Sequence, residues 1–133
     1  MVIVLGGLIH MWIAVQCLSV FVAVEFFFIA VLEMFMENTK LASQAFLVSK
    51  EKLQDKTVKV LFFNQGAYHG LIGVLILLAA FVFPSNVAIT CLMSYILLVA
   101  LVGTFTSNRK IIFTQGSLSF VTLVLSIVAY FVR

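Results

Sequence analysis

Four long apolar runs separated by short polar breaks leave this chain few ways to fold. They cover about 14–36, 58–83, 87–105 and 111–131, and each approaches or exceeds the roughly 20 apolar residues that cross a bilayer. Backbone in hydrocarbon must satisfy its own hydrogen bonds, which a helix does within one segment. Only eight Lys or Arg and five Asp or Glu occur among 133 residues, and 64% are hydrophobic, too few charges for the polar shell of a water-soluble domain. The expected fold is all-α: an integral membrane four-helix bundle forming a single domain over 1–133. Its one substantial loop lies at 37–57, so no room remains for a separate catalytic domain.

Charge placement sets the expected orientation. Lys40, Lys50, Lys52, Lys56, Lys59, Arg109 and Lys110 fall on the first and third loops, against Arg133 on the opposite face. By the positive-inside rule both termini lie outside the cytoplasm. The expected location is the inner (plasma) membrane, multi-pass, with the lipid bilayer as partner and homo-oligomers allowed. The same bias excludes a dual-topology protein. Basic residues flanking spans, without interleaved aromatics, do not make a nucleic-acid surface, and nucleic acid is excluded as a partner. The N-terminal stretch has no basic n-region or small-residue cleavage site, which reads as a retained segment. Gly6-Gly7 is the expected break before the first span, with His10 and Trp12 suited to the interface. Residues 1–13 are left open between helical, interfacial and disordered. Ser49, followed by Glu51, is the expected cap of the second helix, and Pro84-Ser85-Asn86 the turn after it.

Polar residues inside the runs carry the functional information, because an ionisable group in hydrocarbon is costly and turns toward other helices. Counting from the nearest charged flank puts Glu25 about 18 Å and His69 about 15 Å deep, and counting from the outer turn puts Tyr95 about 12 Å deep, all near the midplane. Glu33, Asn64, Gln65 and Gln115 form a second tier about 6 to 9 Å deep. Glu25 is the main candidate for a functional role, proton binding, with His69 as its expected partner. Glu33 either snorkels toward a loop lysine or serves a ligand. Asn64, Gln65 and Gln115 are read either as ligand-binding groups or as interhelical hydrogen-bond glue. Gly66, Gly70 and Gly73, with Ser119, Thr122 and Ser126, read as helix-packing residues that let backbones approach. The Lys59 to Gly66 segment also echoes Lys110 to Gly116, a weak sign of a repeated two-helix hairpin.

Cys17 and Cys91 lie inside apolar runs, which excludes a disulfide framework. Metalloprotease, nucleophile-elbow and phosphate-loop motifs are absent. No catalytic residues, cofactor or metal are expected, since Glu25, Glu33 and His69 at two depths make a poor tetrahedral set.

Glu25, Leu32-Glu33-Met34-Phe35, Ala45-Phe46-Leu47-Val48-Ser49, Asn64-Gln65-Gly66-Ala67-Tyr68-His69-Gly70, and Arg109-Lys110 with Gln115-Gly116 together resemble a known family. It is the domain of unknown function thirteen-oh-four family of small bacterial four-helix integral membrane proteins. The resemblance runs from about Val22 to the carboxyl end and implies the fold and topology without naming a substrate. The family pattern often has His directly after the first glutamate and Asn at the position of His69, where this chain has Phe26 and His69. It implies that any imidazole beside the first glutamate comes here from the second helix. A proline often follows the fourth-helix Gln-Gly, and Leu118 in its place implies a straighter helix.

The leading functional expectation is a proton- or small-solute-binding transporter or sensor built on an intramembrane glutamate. Two alternatives stay open: a structural or lipid-interacting membrane protein without transport, and a small membrane enzyme acting on a lipid-like substrate at headgroup depth.

Overall fold

A computed structural model of the chain describes residues 2–132, with side chains from Gly7 onward. Among these residues there are helices and no strand. The elements are α1 (Val2–Phe35), α2 (Lys40–Phe46), α3 (Lys50–Leu53), α4 (Lys56–Leu77), α5 (Asn86–Thr106) and α6 (Ser117–Phe131). Two π-helical segments extend the long helices, Leu78–Val82 after α4 and Ile112–Gly116 before α6. Four helical stretches are long and apolar enough to cross a membrane: Gly7–Phe35, Lys56–Val82, Asn86–Thr106 and Ile112–Phe131. Their outward faces carry large exposed apolar side chains such as Phe21, Phe28, Phe63 and Phe120. That is the pattern of helices solvated by lipid instead of water.

Several sequence expectations change. The first helix does not break at Gly6-Gly7; α1 runs unbroken from Val2. In an apolar setting the backbone has no water to bond, so two glycines do not suffice to interrupt a helix. Trp12 packs against the main apolar core, so its ring is held by neighbouring helices, whereas His10 is exposed. The stretch 37–57 folds into two short helices. Ser49 caps only the one-turn α3, and the long α4 is capped by Asp55, which accepts from the Thr57 and Val58 N–H groups at 2.8 and 3.2 Å. Asp55→Ala is expected to cost about 1 kcal/mol, measured by unfolding in mixed micelles. The fourth spanning stretch opens with a π-helical turn despite Leu118, so it departs from a straight α-helix without proline. Arg133, counted in the charge asymmetry, lies outside the described residues.

Helix α1 lies between α4 and α6, and α6 packs in turn on α5. Close approach of α1 to α4 rests on glycine: a Cβ at Gly66 would collide with Met34 Cγ and lie 3.0 Å from the Ala30 carbonyl oxygen. One further turn up, Gly70 faces Ala30, and Gly73 accommodates the Phe27 ring. These contacts fix the antiparallel register. The main core, including Val22, Phe26, Ile76, Ile89 and Met93, fills the half of the bundle remote from the 37–57 loop.

Polar side chains close the backbone at that remote end. Gln16 Nε2 donates to the Ala80 carbonyl at 2.7 Å, whose partner four residues on would be Pro84, which has no N–H. Asn86 Nδ2 donates to the Ser126 carbonyl at 2.6 Å, and the Thr90 and Ser126 hydroxyls meet at 2.6 Å. Helices α4 and α5 are tied where the π-helical segment Leu78–Val82 meets α5. Toward the loop end the space between them opens into cavities.

Candidate functional site

The loop-proximal half contains a buried Glu–His pair. His69 Nδ1 lies 2.6 Å from Glu33 Oε2, and the two residues are 6% and 5% exposed. The register set by Gly66 places Glu33 beside that glycine, its carboxylate reaching His69 nearly one turn further along α4, while Phe26 covers the imidazole from the other side, edge-on at 5.4 Å. Positions 26 and 69 therefore face one another across α1 and α4. The imidazole expected from the second helix beside Glu25 stands against Phe26 and Glu33 instead.

The pair lines a cavity of about 420 Å³ together with Gln65 of α4 and Gln115 of the π-helical turn. Val99 and Gly103 of α5 form the opposite wall. Gln115 owes its position to that turn, since a π-helical segment shifts side chains out of the regular i,i+4 row. Phe46 and Val48 reach the cavity from the 37–57 segment. Two devices hold them there. Asn108 Nδ2 donates to the Ala45 carbonyl at 3.2 Å while its Oδ1 accepts from Lys110 N–H, and Phe46 meets the Phe62 ring edge-on at 5.0 Å. Between them Leu47 takes the left-handed conformation, φ 56°, a conformation that costs a branched residue energy and turns its neighbours inward. A smaller chamber of about 110 Å³ shares Gln65, His69 and Val99 with the first and continues to Tyr68, Tyr95 and Phe26.

The six residues singled out in the sequence do not form the arrangement expected of them. Glu33, Gln65, His69 and Gln115 come together. Glu25 does not pair with His69: the partner is Glu33, eight residues, or about 12 Å, along the helix. The depth count erred because it set Lys59 level with the end of α1: Phe35 there meets the Phe63 ring edge-on at 6.5 Å, so α4 projects beyond α1 and His69 sits a tier nearer the loop. Glu25 is half-buried, its Oε2 is buried without a hydrogen-bond partner among the described residues, and it is absent from the lining of both chambers. Asn64 is exposed on another face of α4, in a separate groove with Met34, Glu37 and Lys59. Neither Phe46 nor Val99 was marked by sequence as a site residue, because apolar residues in an apolar chain carry no individual chemical signal.

The packing residues are placed at helix contacts. Gly66 and Gly73 are buried, Gly70 is half-buried, and Ser119, Thr122 and Ser126 are fully buried. Ser119 and Thr122 return their hydroxyls to the carbonyls of Gln115 and Leu118 on their own helix, so they add no polar group to the cavity. Gln65 and Gln115, the matching amides of the two echoed segments, line the same cavity, and Gly66 abuts α1 as Gly116 abuts Leu97 of α5. Among the described residues no three His, Cys, Asp or Glu side chains gather as a metal site.

Four spanning-type helices around a mostly apolar cavity, whose polar wall is Glu33, Gln65, His69, Ser107 and Gln115, have the make-up of a multi-pass, all-helical membrane protein. Residues 20–127 match the family model described as protein of unknown function (DUF1304), and the chain belongs to that family. It is similar to the Uncharacterized protein YpaA of Lactococcus lactis subsp. lactis (strain IL1403), with 46% identity over 110 residues, covering 82% of this chain and 92% of the relative. No solved structure matches the chain.

Proposed function

We propose that this protein binds a proton at the Glu33–His69 pair, couples it to a small solute in the same cavity, and acts as a small carrier or sensor in the plasma membrane. Its loop end faces the cytoplasm and both termini lie outside. The observation that carries the reading is the 2.6 Å contact between two buried ionisable groups on the wall of a cavity. A pair serving only as interhelical glue would not need a chamber beside it.

The chemistry follows from the proton count. With Glu33 ionised and His69 neutral, Nδ1–H donates to Oε2, Nε2 holds a lone pair, and the pair has a charge of minus one. One added proton makes the pair neutral overall, as imidazolium with carboxylate or as imidazole with carboxylic acid. In both forms Nε2 carries hydrogen. Proton uptake thus converts the ring nitrogen not engaged by Glu33 from acceptor to donor and removes the cavity's net charge. A solute that prefers one form is coupled to the proton by linkage.

Infrared difference spectra between alkaline and acid buffer, taken on the protein in lipid nanodiscs, test this. The native chain should show a carboxyl or imidazolium signal that vanishes in Glu33→Gln and is altered in His69→Gln. If both variants reproduce the native spectrum, the pair does not titrate and the reading fails.

A further inference from the structure

Resting on that proton site, the geometry points to the class of solute: we propose that the cavity takes a lipophilic organic cation, an ammonium bearing an aromatic or short alkyl group, in exchange for the proton. The first argument is charge. Among the described residues the lining contains one carboxylate and one imidazole and no Lys or Arg. With the proton removed, the pair leaves a net negative charge in a low-dielectric chamber, which demands a cation. A phosphate or carboxylate headgroup would meet Glu33 with no positive side chain to offset it. Gln65 and Gln115 add amide oxygens that accept from an N–H donor.

The walls supply the second argument. Phe46 and Phe62 flank the main chamber, and Phe26, Tyr68 and Tyr95 line the adjoining one. Aromatic faces around a carboxylate hold quaternary and protonated amines through the ring quadrupole. The third argument is access. Both chambers lie between α4 and α5, with Leu61 and Val99 among their apolar walls, so a solute dissolved in the membrane meets an apolar approach before the charge. A volume of about 420 Å³ suits a small aromatic ammonium.

The exchange should be one for one, because few groups can titrate there. Helix α1 contributes Glu33 and α4 contributes His69, while the lining from α5, from the π-helical turn and from the 37–57 segment includes no acid or base. Tyr68 and Tyr95 border the smaller chamber and are more than half exposed on its outer side. Glu25 stands about two turns away on α1.

The test is equilibrium binding of radiolabelled benzyltrimethylammonium to the full chain in nanodiscs, against its uncharged carbon isostere neopentylbenzene. The cation should bind saturably in alkaline buffer and weaken by about tenfold per pH unit once the pair is protonated. The isostere should show no saturable binding, and both Glu33→Gln and Val99→Trp should abolish that of the cation. Equal binding of the isostere, cation binding indifferent to pH, or saturable cation binding retained in both variants would each overturn the proposal. The comparison of cation with isostere needs no variant, so a misfolded Glu33→Gln does not blunt it. Infrared titration of the same samples separates the two claims. A native proton signal without cation binding removes the cation and leaves the proton site, whereas loss of that signal removes the site itself and the exchange with it.

Discussion

His69→Leu is expected to destabilise the protein by about 3 kcal/mol, read as a shift in equilibrium unfolding by SDS in mixed micelles and followed by circular dichroism. The substitution leaves Glu33 5% exposed and without its only hydrogen-bond partner among the described residues. Removing one member of a buried pair exposes the other's full desolvation cost, about 3 to 5 kcal/mol in water-soluble proteins. The value sits at the low end because a carboxyl in a micelle also finds partners in the unfolded state. The double variant Glu33→Leu with His69→Leu should recover most of the loss, since two apolar side chains of similar volume need no compensation. A single variant as stable as the native chain would mean that the two groups do not interact, and the proposed site would lose its basis. Recovery in the double variant also separates charge from shape, because a packing defect would add where a pairing defect cancels.

The second large effect concerns the glycines that bring α1 and α4 together. Gly66→Ala should cost about 2 kcal/mol, within the range for overpacking a close contact, whereas Gly70→Ala should be neutral or slightly stabilising, because alanine is the better helix former. The difference is geometric. A methyl group at Gly66 would strike Met34, stand 3.0 Å from the Ala30 carbonyl oxygen and 3.1 Å from Glu33 Cβ, while at Gly70 the nearest atom is the Ala30 methyl at 3.6 Å. Met34 is flexible, but the carbonyl belongs to helical backbone, and the helices must part to relieve it. Separation there also moves Glu33 relative to His69, so Gly66→Ala should weaken the infrared proton signal and Gly70→Ala should not. Equal tolerance at both positions would contradict the register described above. A GxxxG spacing marks both glycines alike; only the facing helix distinguishes them.

Much of the architecture was legible in the residues, and the reason is locality. Hydropathy over about 20 residues reports whether a segment can cross a bilayer whatever its neighbours do. Pro84 and Ser85 turn the chain, and Ser85 accepts from Ala88 N–H by the same short-range rule. The membership of the site was partly legible: Glu33, Gln65, His69 and Gln115 stand out because polar groups in apolar runs are expensive. Asn64 shares that signal, yet α4 turns it to another face, a rotation that hydropathy does not encode.

By itself the sequence determined four membrane-length helices, the turns between them and a short inventory of polar groups able to do chemistry, all quantities summed along the chain. Which carboxylate meets His69 was decided only in the tertiary structure. Sliding α1 along α4 by two turns would exchange Glu33 for Glu25 at almost no change in hydropathy. The choice is made by contacts between helices, Gly66 against Ala30 and Gly73 against Phe27, where van der Waals fit discriminates positions that the bilayer treats as equivalent.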